Sequence, residues 1–281
     1  MDSQGVVATA VVAARMAAAV HRQHLGRVRV DDWSEKGIAD YVTHVDREAE
    51  ARITDCVRTA YPDHRILAEE EESDRQRATG TATQGLEGDD WTWIIDPLDG
   101  TTNYLHGYPM YAVSIAVARG RTLEAAVVVN SATGEEWTAT RNGGARLGGR
   151  PVRVSGIERL DRALIGTGFP FKAPAQIPRF TRQLGTVLRA SSGVRRAGSA
   201  ALDLCHLATG WFDGFWELEL APWDVAAGTL IVREAGGVVT RLDGAVDVVG
   251  HGSILAGNPA VYAALGNLIR AADVERTMDD A

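Results

Sequence analysis

Two aspartates three positions apart, Asp96 and Asp99, are the residues whose type and spacing best suit metal chemistry. They follow the apolar run Trp93-Ile94-Ile95, which is typical of a strand that ends near Asp96, and Pro97 then interrupts strand pairing. Both carboxylates are therefore predicted to face one side, and Mg²⁺ prefers such oxygen ligands. A short helix predicted from Thr101 would direct free N–H groups at an anion. The stretch predicts a divalent cation beside a phosphate pocket.

Two further acidic features are predicted to lie near the same pocket. Glu69 begins a run of four glutamates directly after a strand-like segment, at the end of a strand where open α/β sheets carry ligand groups. Asp224 lies at the start of a helix of small and apolar residues. Taken alone, each feature has a structural explanation as a surface turn, a solvated acidic face or a helix cap. Together they could bind two or three cations.

With these motifs in place, the chain resembles the inositol monophosphatase family of Mg²⁺-dependent, Li⁺-sensitive phosphatases. The resemblance rests on DPLDGTTN at 96–103 and WDVAAG at 223–228. It extends to KGIADYVTHVD at 36–46, LAEE at 67–70, HGYP at 106–109, GTGFP at 166–170 and RAGSAALD at 196–203. Their order and spacing are most similar to the inositol-1-phosphate branch of the family. The resemblance implies a layered α-β-α-β-α sandwich with the site between its two sheet regions.

The resemblance also implies a set of metal ligands. One Mg²⁺ would be held by Glu69, Asp96 and the backbone carbonyl of Leu98. A second would be held by Asp96, Asp99 and Asp224, and a weaker third would lie near Glu69 with mostly water as ligands. Asp96 would bridge the first two ions.

Catalytic and substrate roles follow from the same resemblance. Asp46 and Thr101 would form a relay that orients the attacking water, with Asp46 as its acceptor, and Glu69 completes the catalytic group. The expected substrate contacts are Asp99, Gly100, Thr101, Gly198, Ala200, Glu217 and Asp224, of which the Gly100 and Thr101 amides would hold the phosphate.

Three positions depart from the family pattern or leave it open. Many members carry lysine or histidine three residues before the last aspartate, where this chain has Ala221, so substrate preference could differ. Ala68 stands where a glycine is common. The run of glutamates leaves the register open by one residue between Glu69 and Glu70, and we take Glu69 as the ligand.

Composition permits this assignment and limits the alternatives. The chain has 281 residues, a net charge of −8 and a pI near 5.4, which argues against direct binding of DNA or RNA. Cys56 and Cys205 have no spacing typical of a disulfide framework or a zinc site. The alanine- and valine-rich start contains Arg15 and lacks the features of a signal peptide or membrane span. We expect a cytoplasmic homodimer without a membrane or nucleic-acid partner.

Hydrophobic periodicity predicts helices over residues 3–24 and 43–61, the second with a capping box formed by Thr43 and Asp46. Residues 1–155 are predicted to be an α+β region with an antiparallel sheet that carries most metal ligands. Residues 156–281 are predicted to be an α/β region, and the two halves form one compact unit. The polar, glycine-containing stretch 73–90 is predicted to be a mobile loop.

The expected reaction is Mg²⁺-dependent hydrolysis of a phosphate monoester of a small polyol, with inositol 1-phosphate as the leading substrate. Fructose 1,6-bisphosphate, histidinol phosphate and an aminocyclitol phosphate stay open as alternatives. So does a regulatory, partner-binding protein on the same fold, although the retained set of acids argues against an inactive enzyme.

Overall fold

The computed structural model describes residues 3–29, 33–37, 40–79, 86, 88–250 and 252–274. The helices and strands alternate in two blocks, each built around one large sheet. In chain order the elements are α1 (Ser3–His24), β1 (Ser34–Gly37), β2 (Asp40–Val42), α2 (His44–Ala60), β3 (Arg65–Ala68), α3 (Glu69–Thr79), β4 (Trp91–Asp99), α4 (Thr101–Leu105), β5 (Ala112–Arg119), β6 (Thr122–Asn130), β7 (Glu136–Thr140), β8 (Gly144–Leu147), β9 (Arg150–Pro151), β10 (Leu164–Thr167), α5 (Ile177–Ala190), β11 (Gly193–Arg195), α6 (Ala200–Ala208), β12 (Gly214–Leu220), α7 (Pro222–Glu234), β13 (Val238–Arg241), β14 (Gly252–Gly257) and α8 (Pro259–Val274).

The first sheet has seven strands in the order β3-β4-β5-β6-β7-β8-β9. Only β3 and β4 pair in parallel, and the other neighbours are antiparallel. The second sheet has five strands in the order β11-β10-β12-β14-β13 and is mixed. Hairpins can join the antiparallel strands of the first sheet, whereas the parallel pairs of the second require the helical crossovers α5 and α6.

Three hydrophobic clusters show that the sheets and helices form five layers. In the first, Ile53 of α2 and the alanines of α1 pack with Trp93 on the outer face of the seven-stranded sheet. In the second, Leu204 of α6 and residues of α7 lie between the sheets and share a cluster with Ile94. In the third, α5 and α8 cover the outer face of the five-stranded sheet. The α-β-α-β-α sandwich expected from the resemblance is confirmed.

Helix α1 is long and apolar enough, by length and composition alone, to cross a membrane. Its side chains at Ala10, Ala14 and Ala17 are nevertheless fully buried against α2 and the seven-stranded sheet. Because the buried positions recur every three or four residues, α1 has the pattern of a core helix with one face on the sheet.

Helix α2 begins with the predicted capping box, which is confirmed. The Thr43 hydroxyl accepts a hydrogen bond from the Val45 amide at 3.1 Å, and the Asp46 carboxylate accepts from the Thr43 amide at 2.9 Å. The Thr43 hydroxyl also donates to Asp46, at 2.7 Å. The cap therefore fixes the Asp46 carboxylate at the start of the helix.

Two expectations about local structure are wrong. Strand β4 does not end near Asp96 but continues to Asp99 across an irregularity in its pairing with β5, so Pro97 lies at a bulge where a missing N–H is tolerated. Of the predicted loop 73–90, residues 73–79 belong to α3, whose first turn carries four glutamates that favour the positive end of the helix dipole. Residues 80–85 and 87 lie outside the described residues.

Candidate active site

One pocket of about 430 Å³ lies where the ends of the two sheets meet. Strand β4 reaches it from the seven-stranded sheet, β12 reaches it from the five-stranded sheet, and α4, α6 and α7 begin beside it. The structure brings to its walls all the residues predicted to contact substrate, namely Asp99, Gly100, Thr101, Gly198, Ala200, Glu217 and Asp224.

The bulge in β4 lies between its two aspartates, and their carboxylates accept hydrogen bonds from different parts of the backbone. The Asp96 carboxylate accepts a hydrogen bond from the Leu98 amide at 3.0 Å, within the bulge itself. The Asp99 carboxylate accepts from the Ser199 hydroxyl at 2.6 Å and from the Ala201 amide at 2.8 Å. Asp99 thus caps the start of α6 and ties the two sheet regions together through a charge-assisted contact.

Asp224 occupies the third position of α7. The sequence suggested that Asp224 begins this helix, whereas the helix begins at Pro222. Its carboxylate accepts a hydrogen bond from the Ala221 amide at 2.7 Å, the residue that precedes the helix. Pro222 at the first helical position lacks an N–H and suits this start. One carboxylate oxygen of Asp224 is used in this way, and the carboxyl group lies in the pocket wall.

Burial, together with the charges of neighbouring acids, raises the pKa values of these carboxyls. Burial, followed by the charges of Glu69, Asp99 and Asp224, holds the pKa of Asp96 well above its usual range. Burial raises the pKa of Asp99 to about 6, against the lowering effect of the Ser199 and Ala201 donors. Burial also raises the pKa of Asp224 to about 7, against the lowering effect of Lys172. Four carboxyls therefore repel one another in a place that water reaches poorly.

Glu69 is the glutamate of the acidic run that faces this group. Its carboxyl hydrogen-bonds that of Asp96, which requires one of the two to carry a proton. Glu70 is almost fully buried, at 3% exposure. The position of Glu69 at the start of α3, directly after β3, brings its side chain alongside the neighbouring strand β4.

The donor set suits a hard divalent cation. Asp96, Asp99 and Asp224 each direct an oxygen to a donor of the protein, and a carboxylate has a second oxygen available for a metal. Within the described part of the chain, no three acidic, histidine or cysteine side chains already form a group that could hold an ion as they stand. Charge and ligand type fit Mg²⁺.

Thr101 and Asp46 lie in contact at the edge of the same group. The Thr101 hydroxyl is 3.2 Å from the Asp46 carboxylate and 3.1 Å from the Leu98 carbonyl, so it can donate to either oxygen. Asp46 is 1% exposed and is held by both donors of Thr43. The predicted pair is therefore assembled, and its acceptor is fixed by the α2 cap.

Glycines let the backbone approach closely at two places. Gly100 has φ of +90°, and a Cβ there would lie 2.8 Å from the Met110 carbonyl, so larger residues are excluded. At Gly168 a Cβ would lie 1.8 Å from a carboxylate oxygen of Glu217. The side chain of Glu217 therefore occupies space that only glycine leaves open, and burial raises its pKa to about 8.

Sequence reasoning missed three charged residues at this site. Glu50, one helical turn after Asp46, accepts hydrogen bonds from the Glu70 and Glu71 amides at 2.8 and 2.9 Å. Lys172 and Arg196 line the pocket. The GTGFP motif stops two residues short of Lys172, and extending it would have included this lysine. Arg196 begins a quoted motif, but its role depends on contacts with residues distant in sequence.

Comparison with known proteins identifies the family. The model of the inositol monophosphatase family matches residues 2–275. The chain belongs to the inositol monophosphatase family. Members are generally Mg²⁺-dependent, and the family supports a phosphatase activity in general.

Individual relatives agree with this placement. A protein of Pseudomonas aeruginosa named Nus factor SuhB is 43% identical over 265 residues, which are 93% of this chain and 94% of the relative. The extragenic suppressor protein suhB of Bartonella henselae has a TM-score of 0.84 and 38% identity, covering 94% of this chain and 98% of that one. An inositol monophosphatase of Anabaena has a TM-score of 0.79 and 33% identity, covering 95% and 96%.

We expect Glu50 to control the start of α3 and thereby the position of Glu69. Glu50→Gln replaces a carboxylate that accepts from two amides, and losing a cap of about 1 kcal/mol should speed amide exchange at Glu70 and Glu71 by roughly fivefold. Calorimetric Mg²⁺ affinity should fall as well. Glu48→Gln makes the same substitution in the same helix and should change neither quantity. Unchanged exchange at Glu70 and Glu71 in the Glu50 variant would contradict the assignment.

The raised pKa values predict that the metal-free protein loses stability as pH rises. A carboxyl whose pKa is higher in the folded than in the unfolded state stabilises fully below its unfolded value, and this contribution disappears as pH rises through the folded value. For Asp99 and Asp224 that window runs from about pH 4 to about 6 and 7, respectively. Melting temperatures in EDTA should fall across it, whereas saturating Mg²⁺ should reduce the slope. Asp224→Asn should make the melting temperature in EDTA depend less on pH. A wild-type melting temperature in EDTA that rises across this pH window would refute the clustering of these carboxyls.

Proposed function

We propose that the chain is a Mg²⁺-dependent phosphatase that hydrolyses the phosphate monoester of a small polyol, with inositol 1-phosphate as the leading substrate. One observation carries this proposal: Asp99 and Asp224 line one pocket, and the carboxyls of Asp96 and Glu69 lie close enough to interact with them. An anionic substrate would be repelled by that group alone. Bound cations reverse the sign of the field and make a phosphate the natural ligand.

The residues proposed to hold the ions are those of the expected set. Glu69, Asp96 and the Leu98 carbonyl would hold one Mg²⁺, while Asp99 and Asp224 would share a second with Asp96. When bound, Mg²⁺ supplies charge neutralisation for the phosphate oxygens and a water of lowered pKa. A third ion near Glu69 is part of the proposal.

Thr101 and Asp46 are proposed to orient the attacking water. When the Thr101 hydroxyl donates to Asp46, its oxygen lone pairs are available to accept a hydrogen bond from water in the pocket. Asp46 can serve as the acceptor because Thr43 holds it in one orientation. The amides of Gly100 and Thr101, at the start of α4, would bind the phosphate oxygens.

The alcohol part of the substrate is proposed to contact the opposite wall. Gly198, Ala200 and Glu217 line that wall, and backbone carbonyls and carboxylates accept hydrogen bonds from the hydroxyls of a polyol. Ala221, which directly precedes α7, offers no side-chain donor. Fructose 1,6-bisphosphate, histidinol phosphate and an aminocyclitol phosphate therefore remain alternatives in the same reaction class.

The experiment is a measurement of phosphate release from inositol 1-phosphate and these alternatives, with Mg²⁺ and with excess EDTA. We expect turnover only with Mg²⁺, inhibition by Li⁺, and loss of most activity in Asp96→Asn. Thr101→Ala should lower kcat by roughly 10² to 10⁴, the range for a lost proton-transfer or positioning group. Thr101→Ser keeps the hydroxyl and should stay active.

Asp63→Asn supplies the matched control, because Asp63 is exposed and lies outside the pocket. Full turnover in EDTA, or wild-type kcat for Asp96→Asn, would refute a metal-dependent mechanism. A homodimer and a cytoplasmic location stay predictions, which gel filtration with light scattering and cell fractionation would test.

A regulatory role is a second candidate function. Relatives at 41 to 46% identity carry the name Nus factor SuhB or putative Nus factor SuhB, a name that suggests a role in transcription. The expectation that the chain has no direct nucleic-acid partner stays a prediction, and these names argue for testing it. The regulatory and phosphatase roles do not exclude each other, since they could use different surfaces.

Complementation separates the two roles. The chain would be expressed in a bacterium that lacks its own SuhB relative, as wild type and as Asp224→Asn. If growth is restored equally by both, the role there does not depend on phosphatase activity. If only the wild type restores growth, the phosphatase activity is required, and failure of both would count against a shared regulatory role.

A further inference from the structure

A buried histidine lies behind the β4 bulge that carries the metal-binding aspartates. His21 belongs to the last turn of α1, is fully buried and does not line the pocket. The other buried side chains of α1 are mainly alanine and valine packed against the seven-stranded sheet. An imidazole is costly in such a place unless its ring nitrogens find partners, so its contacts indicate what the side chain does.

The imidazole of His21 is held in one orientation. Its Nδ1 atom lies 2.8 Å from the hydroxyl of Ser131, which follows β6 and is also fully buried. The rings of Tyr104 and Tyr111 flank the imidazole, with centroids 5.8 and 6.4 Å from it. Leu98 of the bulge belongs to the same hydrophobic cluster as both tyrosines. The ring is therefore fixed beside the bulge by one hydrogen bond and two aromatic neighbours.

The second ring nitrogen of His21 faces the bulge itself. The Pro97 backbone contacts the imidazole and raises its pKa, and because Nδ1 is occupied by Ser131, Nε2 is the atom left for this contact. Pro97 has no N–H, so its carbonyl is the group that takes part. Nε2 does not reach the geometry of a full hydrogen bond with any described residue, so the contact with Pro97 is a weak one.

These two contacts determine which ring nitrogen carries the proton. Burial lowers the pKa of His21 to about 3, against the raising effect of Pro97, so the imidazole is neutral at pH 7 and has one N–H. A carbonyl can only accept, which places the N–H at Nε2 and leaves Nδ1 to accept from the Ser131 hydroxyl. Ser131 thus selects the tautomer that can donate to Pro97.

The Pro97–Leu98 peptide unit connects His21 to a metal-binding carboxylate. Its carbonyl faces the imidazole, and its N–H donates to the Asp96 carboxylate at 3.0 Å. The C=O and N–H of a trans peptide point in opposite directions within one rigid plane. A group that holds the oxygen of this unit therefore also sets the direction of the N–H that Asp96 accepts.

The main chain of His21 contacts a second element of the site. The Tyr104 hydroxyl, on α4, donates to the His21 carbonyl at 2.9 Å. This carbonyl lies in the last turn of α1, where carbonyl groups lack partners within the helix. The end of α1 therefore contacts both the bulge that carries Asp96 and the short helix that begins at Thr101, although it does not reach the pocket.

We propose that His21 is a positioning residue for the metal site: its imidazole, oriented by Ser131, holds the Pro97–Leu98 peptide and thereby directs the Asp96 carboxylate. This inference rests on the proposed function, because it takes Asp96 as a ligand of Mg²⁺. His21 itself contacts neither the ion nor the substrate. Since its contact with Pro97 is weak, the expected effect is that of a single neutral hydrogen bond.

The test uses three substitutions that differ in the nitrogen they replace. His21→Gln keeps an N–H donor about as far along the side chain as Nε2, whereas His21→Asn reaches only about as far as Nδ1. Ser131→Ala keeps the whole imidazole but removes the group that selects its tautomer, so it supplies the test if a shorter side chain at position 21 impairs folding.

The first measurement is amide exchange at Leu98 in EDTA, which requires neither metal nor substrate. Exchange should be about five- to tenfold faster in His21→Asn and Ser131→Ala, as expected for the loss of one hydrogen bond, and within about twofold of wild type in His21→Gln. The second is the calorimetric affinity for Mg²⁺, which should fall by a similar factor in the same two variants and be restored in His21→Gln. In the wild type, Mg²⁺ should also shift the ¹⁵N resonance of His21 Nε2.

His64→Gln is the matched control. His64 is another histidine beside β4, where its Nδ1 accepts from the Trp93 indole at 3.0 Å, but it lies near the start of that strand and outside the pocket. Its substitution is expected to lower the melting temperature and to leave both Leu98 exchange and Mg²⁺ affinity unchanged. Equal effects of His64→Gln and His21→Asn on the site would reduce the role of His21 to general stability and overturn the inference.

Other outcomes would also overturn it. Unchanged Leu98 exchange in both His21→Asn and Ser131→Ala would show that the imidazole does not hold the peptide. Faster exchange with unchanged Mg²⁺ affinity would remove the link to Asp96. Failure of the wild type to bind Mg²⁺ would instead refute the proposed function, while Leu98 exchange in EDTA would still decide whether His21 holds the Pro97–Leu98 peptide.

Discussion

The confinement of several negative charges in one poorly hydrated junction is the constraint on which this structure depends. Asp96, Asp99 and Asp224 lie with Glu69 where two sheets meet, and burial disfavours the charged form of each. Without a cation, the fold limits the cost by giving the aspartates donors and by letting Glu69 and Asp96 share a proton. The same crowding makes a divalent cation a favourable partner, because one ion neutralises several carboxylates at once.

The donors that stabilise these acids are supplied by different layers of the sandwich. The Leu98 amide belongs to the bulge of β4, whereas the Ala201 and Ala221 amides belong to the starts of α6 and α7. Because α6 and α7 lie between the sheets, displacing either helix would remove both packing and a carboxylate partner. A change that displaces the middle layer would therefore both destabilise the fold and move the aspartates of the site. Glu50 extends this principle to α3 through the amides that follow Glu69.

The five-layer fold and the residues that line the pocket could be predicted through the resemblance to a known family, which the motifs at 96–103 and 223–228 carry. Hydrophobic periodicity alone predicted helices and strands but not their layering. The capping box at Thr43 and the extent of α1 were predicted from the residues alone, because both depend on local sequence. The end of β4 was mispredicted because a proline can be accommodated at a bulge, and pairing with β5 decides that. The roles of Glu50 and Arg196 were missed because they depend on which amides and rings the tertiary structure places against them.

Two kinds of positive charge can serve a pocket like this one, and they have to be kept apart. Metal ions require carboxylates that are free to reorient, so a fixed arginine paired with those carboxylates would compete with the ion. Among the described residues the guanidinium of Arg196 contacts two aromatic rings and forms no ion pair, while its charge lowers the pKa values of Glu217 and Asp203. An aromatic platform can hold a cation near an acidic site without neutralising the acids, because the ring quadrupole attracts the charge but does not accept its N–H groups in the manner of a carboxylate.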